Sequence, residues 1–211
     1  MLGLLGQGFL TTLSIFFLTL IGSLPLGLLV YFGKKSRLAP LRWVVNAYIS
    51  IMRGTPLMLQ LMVVYFGPNL LFGVMPPANW RFGAVITGFI INYAAYFAEI
   101  YRGGILSVEI GQWEAAKALG LGRGCAFFRI VLPQMVKRVI PAVGNEVITL
   151  VKDTSLAFTI AVTEMFTLAK QLSSAHTTMA PLVAAGVFYY IFNYVVAWTM
   201  ERIEKRFAYY S

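Results

Sequence analysis

The chain has 211 residues, of which 59% are apolar and only 12% charged, with a formal net charge of +9 at pH 7. A soluble domain carries about twice that share of charged residues, so the composition excludes a water-soluble globular protein and points to an all-α integral membrane protein. The lone Cys125 and lone His176 exclude an internal disulfide and a Cys/His metal centre, and the Lys and Arg residues cluster beside apolar runs, a pattern of membrane topogenesis and anionic headgroups and not of nucleic-acid binding.

The first predicted span covers residues 9–32. Its core, "LSIFFLTLIGSLPLGLLVYFG", is longer than a signal-peptide core, follows no basic segment and precedes "KKSR" instead of a small-residue cleavage site, so a retained span is expected. Residues 44–71 and 82–105 form the second and third predicted spans, each long enough for a hydrocarbon core of about 30 Å. On the third, Asn92, Tyr96, Glu99 and Gly103 recur on one helical face. Glu99 is expected to pair structurally with Arg102 and Arg53 near one end, whereas Asn92, deeper in the helix, is expected to face a transport pathway.

A long polar loop follows, and in it "EAAKALG" favours a helix over residues 112–119 ended by Gly120 or Gly122. A helix of about two turns is too short to stand alone in water, so it is expected to dock on something. The neighbouring "LGLGRG" is no phosphate loop, because it lacks the Lys-Ser/Thr ending and follows no strand. Lys117 and Arg123 are expected to face lipid or the docking partner.

Next comes "CAFFRIVLPQMVKRVIPAVGNEVITLV", amphipathic in its first half, so only its second half need enter lipid as a fourth span. Lys152, Asp153, Thr154 and Ser155 interrupt that span, and non-helical backbone at this depth is tolerated where it lines a cavity. Asp153 or Glu164 is expected to accept from a ligand ammonium, with Thr154 and Ser155 donating to its carboxylate; capping and a Lys152–Asp153 pair are the structural alternative. Residues 156–169 are a largely apolar run of 14 residues, too short to span, and residues 181–200 form the last span.

Charge counting sets the topology. Lys34, Lys35, Arg37 and Arg42, then Arg102, Lys117, Arg123, Arg129, Lys137 and Arg138, and finally Arg202, Lys205 and Arg206 mark three regions that must share the cytoplasmic side. Five transmembrane helices with the N-terminus outside and the C-terminus cytoplasmic satisfy this, residues 156–169 being a buried non-spanning element. One membrane domain over residues 1–211 is expected.

The loop also carries a spaced pattern: Glu114-Ala115-Ala116, Gly120, nine residues, Ile130, one residue, and Leu132-Pro133. This resembles the EAA loop of ABC-transporter permease subunits, here at about residues 110–133. "RGTPLMLQLMVVYFG", "YAAYFAEIYRGGILSVEIGQWEAAKALGLG" and "LVKDTSLAFTIAVTE" look like the polar amino acid (His/Glu/Gln/Arg/Lys/opine) importer family. "SVEIG" departs from the "SVPKG" expected there, exchanging a basic residue for an acidic one.

The resemblance implies a type I ABC importer permease fold with a cytoplasmic coupling helix, in which Glu114, Ala115, Ala116 and Gly120 engage a separate ATPase. It implies a bacterial inner-membrane transport subunit that is not an enzyme and holds no cofactor or metal, ATP and Mg residing on the ATPase. The implied partners are a second permease subunit, identical or not, two ATPase subunits, an extracytoplasmic amino-acid-binding protein and membrane lipid. A secondary transporter or channel driven by an ion gradient, using Glu146 and Glu164 as ion sites, and a membrane scaffold without transport are the alternatives.

Overall fold

A computed structural model of the chain, which describes residues 2–74, 77 and 79–207, contains no strand among those residues. Nine α-helices follow in order: α1 (Leu2–Lys34), α2 (Ala39–Gly54), α3 (Leu57–Phe72), α4 (Trp80–Leu106), α5 (Ile110–Ala118), α6 (Arg123–Ala126), α7 (Leu132–Asp153), α8 (Met165–His176) and α9 (Ala180–Phe207). A π-helical turn, Phe127–Val131, joins α6 to α7, and a 3-10 segment, Thr154–Ile160, follows α7.

Helices α1, α4 and α9 are each long and apolar enough to cross a membrane, and a fourth crossing is available if α2 and α3 count together. The expected second span, residues 44–71, is broken rather than continuous: α2 and α3 meet at a bend of 116°. Pro56 explains the break. It forces Thr55 before it into extended backbone, φ −125° and ψ 150°, and so ends α2. The fourth expected span, within α7, bears Lys137, Arg138, Glu146, Lys152 and Asp153 and is not among the helices of spanning length and composition.

Helix α1 lies along α4, which also receives α3 and α7, while α9 closes against α7 and α8. Their shared core is aromatic: Phe16, Phe89, Tyr93 and Phe97 are buried with Leu61, Leu150 and Val151. Phe192 of α9 meets Phe9 and Phe16 of α1 edge-on at 5.5 and 5.2 Å between ring centres, an arrangement that aromatic quadrupoles favour. The outer faces stay apolar, with Leu29, Ile21, Val187 and Ile191 exposed, as a lipid-facing surface requires.

The closest approach that matters for the loop is at Gly104 of α4. A Cβ there would sit 2.1 Å from Val139 Cγ2, so only glycine lets α7 lie this near α4.

Candidate functional site

Two regions carry the chemistry: the loop around α5, and the polar groups held inside the helix bundle. Helix α5 starts two residues before the expected 112–119 and ends one earlier, at Ala118. Gly120 takes φ 73°, its N–H donates to the Lys117 carbonyl at 3.0 Å, and the Leu121 N–H reaches the Ala116 carbonyl at 3.0 Å. That pair of bonds is a Schellman cap with glycine at the left-handed position. A Cβ at Gly120 would meet no atom of this chain, so the demand on glycine here is conformational.

Underneath, α5 rests on a small apolar seat. Val108, Val131, Met135 and Val139 are buried there, with Trp113, Ile105 and Phe127 packed against them. The seat joins the end of α4 to the start of α7, so any push on α5 reaches both. Ala116 is 1% exposed and faces inward, which makes it an anchor of α5 instead of part of its outer face. Glu114, Ala115 and Ala118 point outward, flanked by Ile110 and Leu119 at 75% and 77% exposure. That face, with two large apolar ends and alanines between them, is left uncovered by the rest of the described chain. The π turn behind it, Phe127–Val131, precedes Pro133, whose missing N–H disturbs the regular ladder.

Glu99 of α4 gathers three cations. Lys34 from the end of α1 and Arg102 one turn on both bond its carboxylate, Arg102 at 2.8 Å, and Arg53 from α2 approaches to 3.8 Å. The expected Glu99–Arg102–Arg53 cluster is present, and Lys34, which was not anticipated in it, adds α1 to the tie. The Arg53 guanidinium also lies 5.5 Å from the Tyr96 ring centre.

The expected pathway residues separate into two groups. Asn92 is 4% exposed and is engaged within the protein: its amide donates to Gln60 Oε1 at 2.9 Å and to the Met52 carbonyl at 3.2 Å. Gln60 in turn donates to the Met52 and Thr55 carbonyls at 3.0 and 3.1 Å. These two amides supply partners for carbonyls freed where α2 breaks from α3, which lipid could not do. Gln60 was missed in the sequence; its signal was a lone amide in the apolar run "PLMLQLMVV".

Glu164 is fully buried and caps α8. Its carboxylate accepts from the Phe166 and Thr167 N–H groups at 2.6 and 2.7 Å, from the Thr167 hydroxyl at 2.8 Å and from the Tyr189 hydroxyl at 3.0 Å. Four donors at a site without exposure leave no room for a ligand ammonium, so the geometry makes Glu164 a cap and not the pathway acceptor expected from sequence. Thr154 is likewise buried, its hydroxyl donating to the Val151 carbonyl at 2.7 Å.

Asp153 and Ser155 remain partly exposed. Asp153 accepts from the Tyr93 hydroxyl at 2.7 Å, and Ser155 donates to the Lys152 carbonyl at 2.8 Å. Glu146 lies seven residues before Asp153, hence on the same face of α7.

Residues 23–209 match the family described as "Binding-protein-dependent transport system inner membrane component". The arginine transport system permease protein ArtQ of Bacillus subtilis (strain 168) is 36% identical over 201 residues, covering 95% of this chain and 90% of ArtQ. The octopine transport system permease protein OccM of Rhizobium radiobacter is 40% identical over 192 residues, 86% of this chain and 78% of that one. A chain in the crystal structure of an amino acid ABC transporter with histidines superimposes with a TM-score of 0.88 at 31% identity, covering 97% of this chain and 94% of its own. A chain of the inward facing MetNI methionine ABC transporter shares the fold, with a TM-score of 0.76 at 20% identity. The chain belongs to the family of binding-protein-dependent transport system inner membrane components.

Proposed function

We propose that the chain is the permease subunit of an ATP-driven importer of polar amino acids, and that α5 is its coupling helix. The observation that carries this reading is the outward face of α5, free in this chain, above a seat that ties α4 to α7. The relatives named for arginine, octopine and cystine transport support the substrate class.

In the working assembly two such permeases, identical or not, face each other, each seating one ATPase subunit on α5. ATP and Mg bind to the ATPase, and an extracytoplasmic binding protein delivers the amino acid. The chain acts as one membrane domain in the inner membrane, with five crossings, the N-terminus outside and α5 in the cytoplasm. Glu114, Ala115 and Gly120 form or shape the contact with the ATPase, with Ala116 anchoring it. Within the bundle, Asp153 and Ser155, with Glu146 on the same face, line the ligand route, while Asn92, Thr154 and Glu164 hold the walls.

Closure of the ATPases on nucleotide draws the two α5 helices together. Through the seat, the ends of α4 and α7 move with them, and the route opens outward to the binding protein. Reconstitution in vesicles with the ATPase and binding protein tests the reading: amino acid should stimulate ATP hydrolysis and accumulate inside. Uptake driven by an ion gradient without the ATPase overturns it. The orientation is checked by an impermeant thiol reagent, which should label a cysteine at Val74 from outside and leave cysteines at Ser36 and Glu204 untouched.

A further inference from the structure

Beside the seat of α5 lies a second feature, to which the proposed function assigns no role. A cavity of about 420 Å³ opens between the end of α1, the end of α4 and the start of α7. Its walls are aromatic and aliphatic: Leu28 and Phe32 from α1, Trp113 from α5, Phe127 from the π turn and Met135 from α7. Among the described residues, the single charged one lining it is Lys35, whose Nζ stands 5.8 Å from the Tyr31 ring centre.

The surroundings of the cavity identify its occupant. Leu28 and Phe32 are 41% and 58% exposed on a helix long and apolar enough to cross a membrane, so the cavity opens on an apolar outer face of the chain. Along α1 this is the level at which "LLVYF" gives way to "KKSR", the boundary between acyl chains and headgroups. Lys35 is exposed and belongs to none of the ion pairs among the described residues, and Arg37 and Arg42 follow it in sequence. Among the described residues, no acidic side chain lines the cavity. A greasy slot with an uncompensated cation at its mouth complements a molecule with an apolar tail and a negative head.

We infer that this cavity is a binding site for an anionic phospholipid, one acyl chain lying against Trp113 and Phe127 and the headgroup phosphate meeting Lys35. Because Trp113 belongs to both the cavity wall and the seat of α5, a chain in the slot packs the support beneath the coupling helix. An empty slot leaves that support with a void on one side, which forfeits contacts and loosens it. Anionic lipid thereby tightens the link between α5 and the bundle. The inference rests on α5 being the coupling helix for its functional consequence; the binding itself does not.

The test uses the assembled complex in vesicles containing phospholipids brominated on the acyl chain, which quench tryptophan on contact. The Trp113 signal is the difference between the unaltered protein and Trp113→Phe. Brominated phosphatidylglycerol should quench that signal at about one-fifth the membrane fraction needed for brominated phosphatidylcholine, the preference that one lysine near a surface confers. Lys35→Gln should erase the preference while leaving the apolar contact, and Leu28→Phe, which fills the slot, should weaken quenching by both lipids. Equal quenching by the two lipids, or a preference that survives Lys35→Gln, overturns the headgroup assignment. Absence of Trp113 quenching in the complex shows protein in the slot and overturns the site. Amino-acid-stimulated ATP hydrolysis should rise when phosphatidylglycerol replaces phosphatidylcholine, and less so in Lys35→Gln; stimulation that is the same in both lipids overturns the link to coupling. Quenching needs neither transport nor ATP, so a failed transport reading leaves it standing.

Discussion

Helices α5 and α8 are alike on paper. Each is short and carries a glutamate: Glu114 midway along α5, and Glu164 at the N-cap of α8. Their environments are opposite. Glu114 points outward from a helix whose N-terminus has no side-chain cap, whereas Glu164 is buried and takes four hydrogen bonds. The difference follows from where each helix begins. Water or a partner can satisfy the first N–H groups of α5. Those of α8 start inside the bundle, where Glu164 bonds two of them and Thr12 of α1 accepts a third, from Met165, at 3.4 Å. One carboxylate is displayed and the other is consumed, so the same substitution should do different damage in each.

The largest effect is expected at Glu164. Removing its carboxylate in Glu164→Ala orphans two backbone donors and the Tyr189 hydroxyl together, a loss of about 3 kcal/mol or more. The variant should unfold at lower temperature and accumulate poorly, yet whatever transport remains should keep the same ranking of amino acid competitors. Glu164→Gln retains an acceptor oxygen and should recover part of the stability. A stable Glu164→Ala protein with altered selectivity would move Glu164 back to the pathway.

Glu114→Lys comes next and should behave as the mirror image. An exposed position on α5 contributes within about 0.5 kcal/mol to stability, so thermal unfolding should hardly change. If α5 is the coupling helix, uptake and amino-acid-stimulated ATP hydrolysis should fall more than ten-fold, because a charge is reversed on the face proposed to meet the ATPase. Equal uptake in the variant and the unaltered protein removes Glu114 from coupling.

Asp153 lies between these extremes, partly exposed and held by the Tyr93 hydroxyl alone among the described residues. Asp153→Asn keeps that bond and nearly the same volume. If the carboxylate meets the ligand ammonium, apparent affinity should drop by roughly ten-fold, the weight of one charge-assisted hydrogen bond. Competition uptake with the binding protein held constant measures it, and unchanged affinity with unchanged ranking assigns Asp153 to the wall.

The contrast also shows what a sequence displays and what it hides. Long apolar runs made α1, α4 and α9 legible, because crossing lipid is a demand on composition. The loop motif was legible for another reason: the capping Gly120 and the Leu132-Pro133 step are local backbone requirements, written at fixed spacing. The 116° break between α2 and α3 was not foreseen, although Pro56 is plain in the sequence, because residues on both sides are apolar and hydropathy carries no direction. Asn92 was expected to face the pathway, and Glu164 to be one of two acceptors for a ligand ammonium, for a related reason. A polar residue in an apolar segment looks the same whether it faces a substrate or satisfies a broken backbone, and only the partner, Gln60 for one and the start of α8 for the other, tells them apart.

The smallest expected effect separates the two demands placed on α5, its shape and its contact. Gly120 has φ 73°, a region that costs an L-residue about 1–2 kcal/mol, and a Cβ there meets nothing in this chain. Gly120→Ala should therefore fray the last turn of α5 without disturbing the seat, since Trp113 and Ala116 sit earlier in the helix. Hydrogen exchange should quicken at the amides of Gly120 and Leu121, which make the two capping bonds, and not at Ala116. Asparagine tolerates the left-handed conformation better than alanine, so Gly120→Asn should restore most of the protection. If coupling needs only the shape of the helix end, ATP hydrolysis stimulated by amino acid should recover along with it. Should Gly120→Asn restore protection but leave stimulation as low as in Gly120→Ala, the missing side chain is itself what the ATPase requires, and Gly120 joins Glu114 on the contact face.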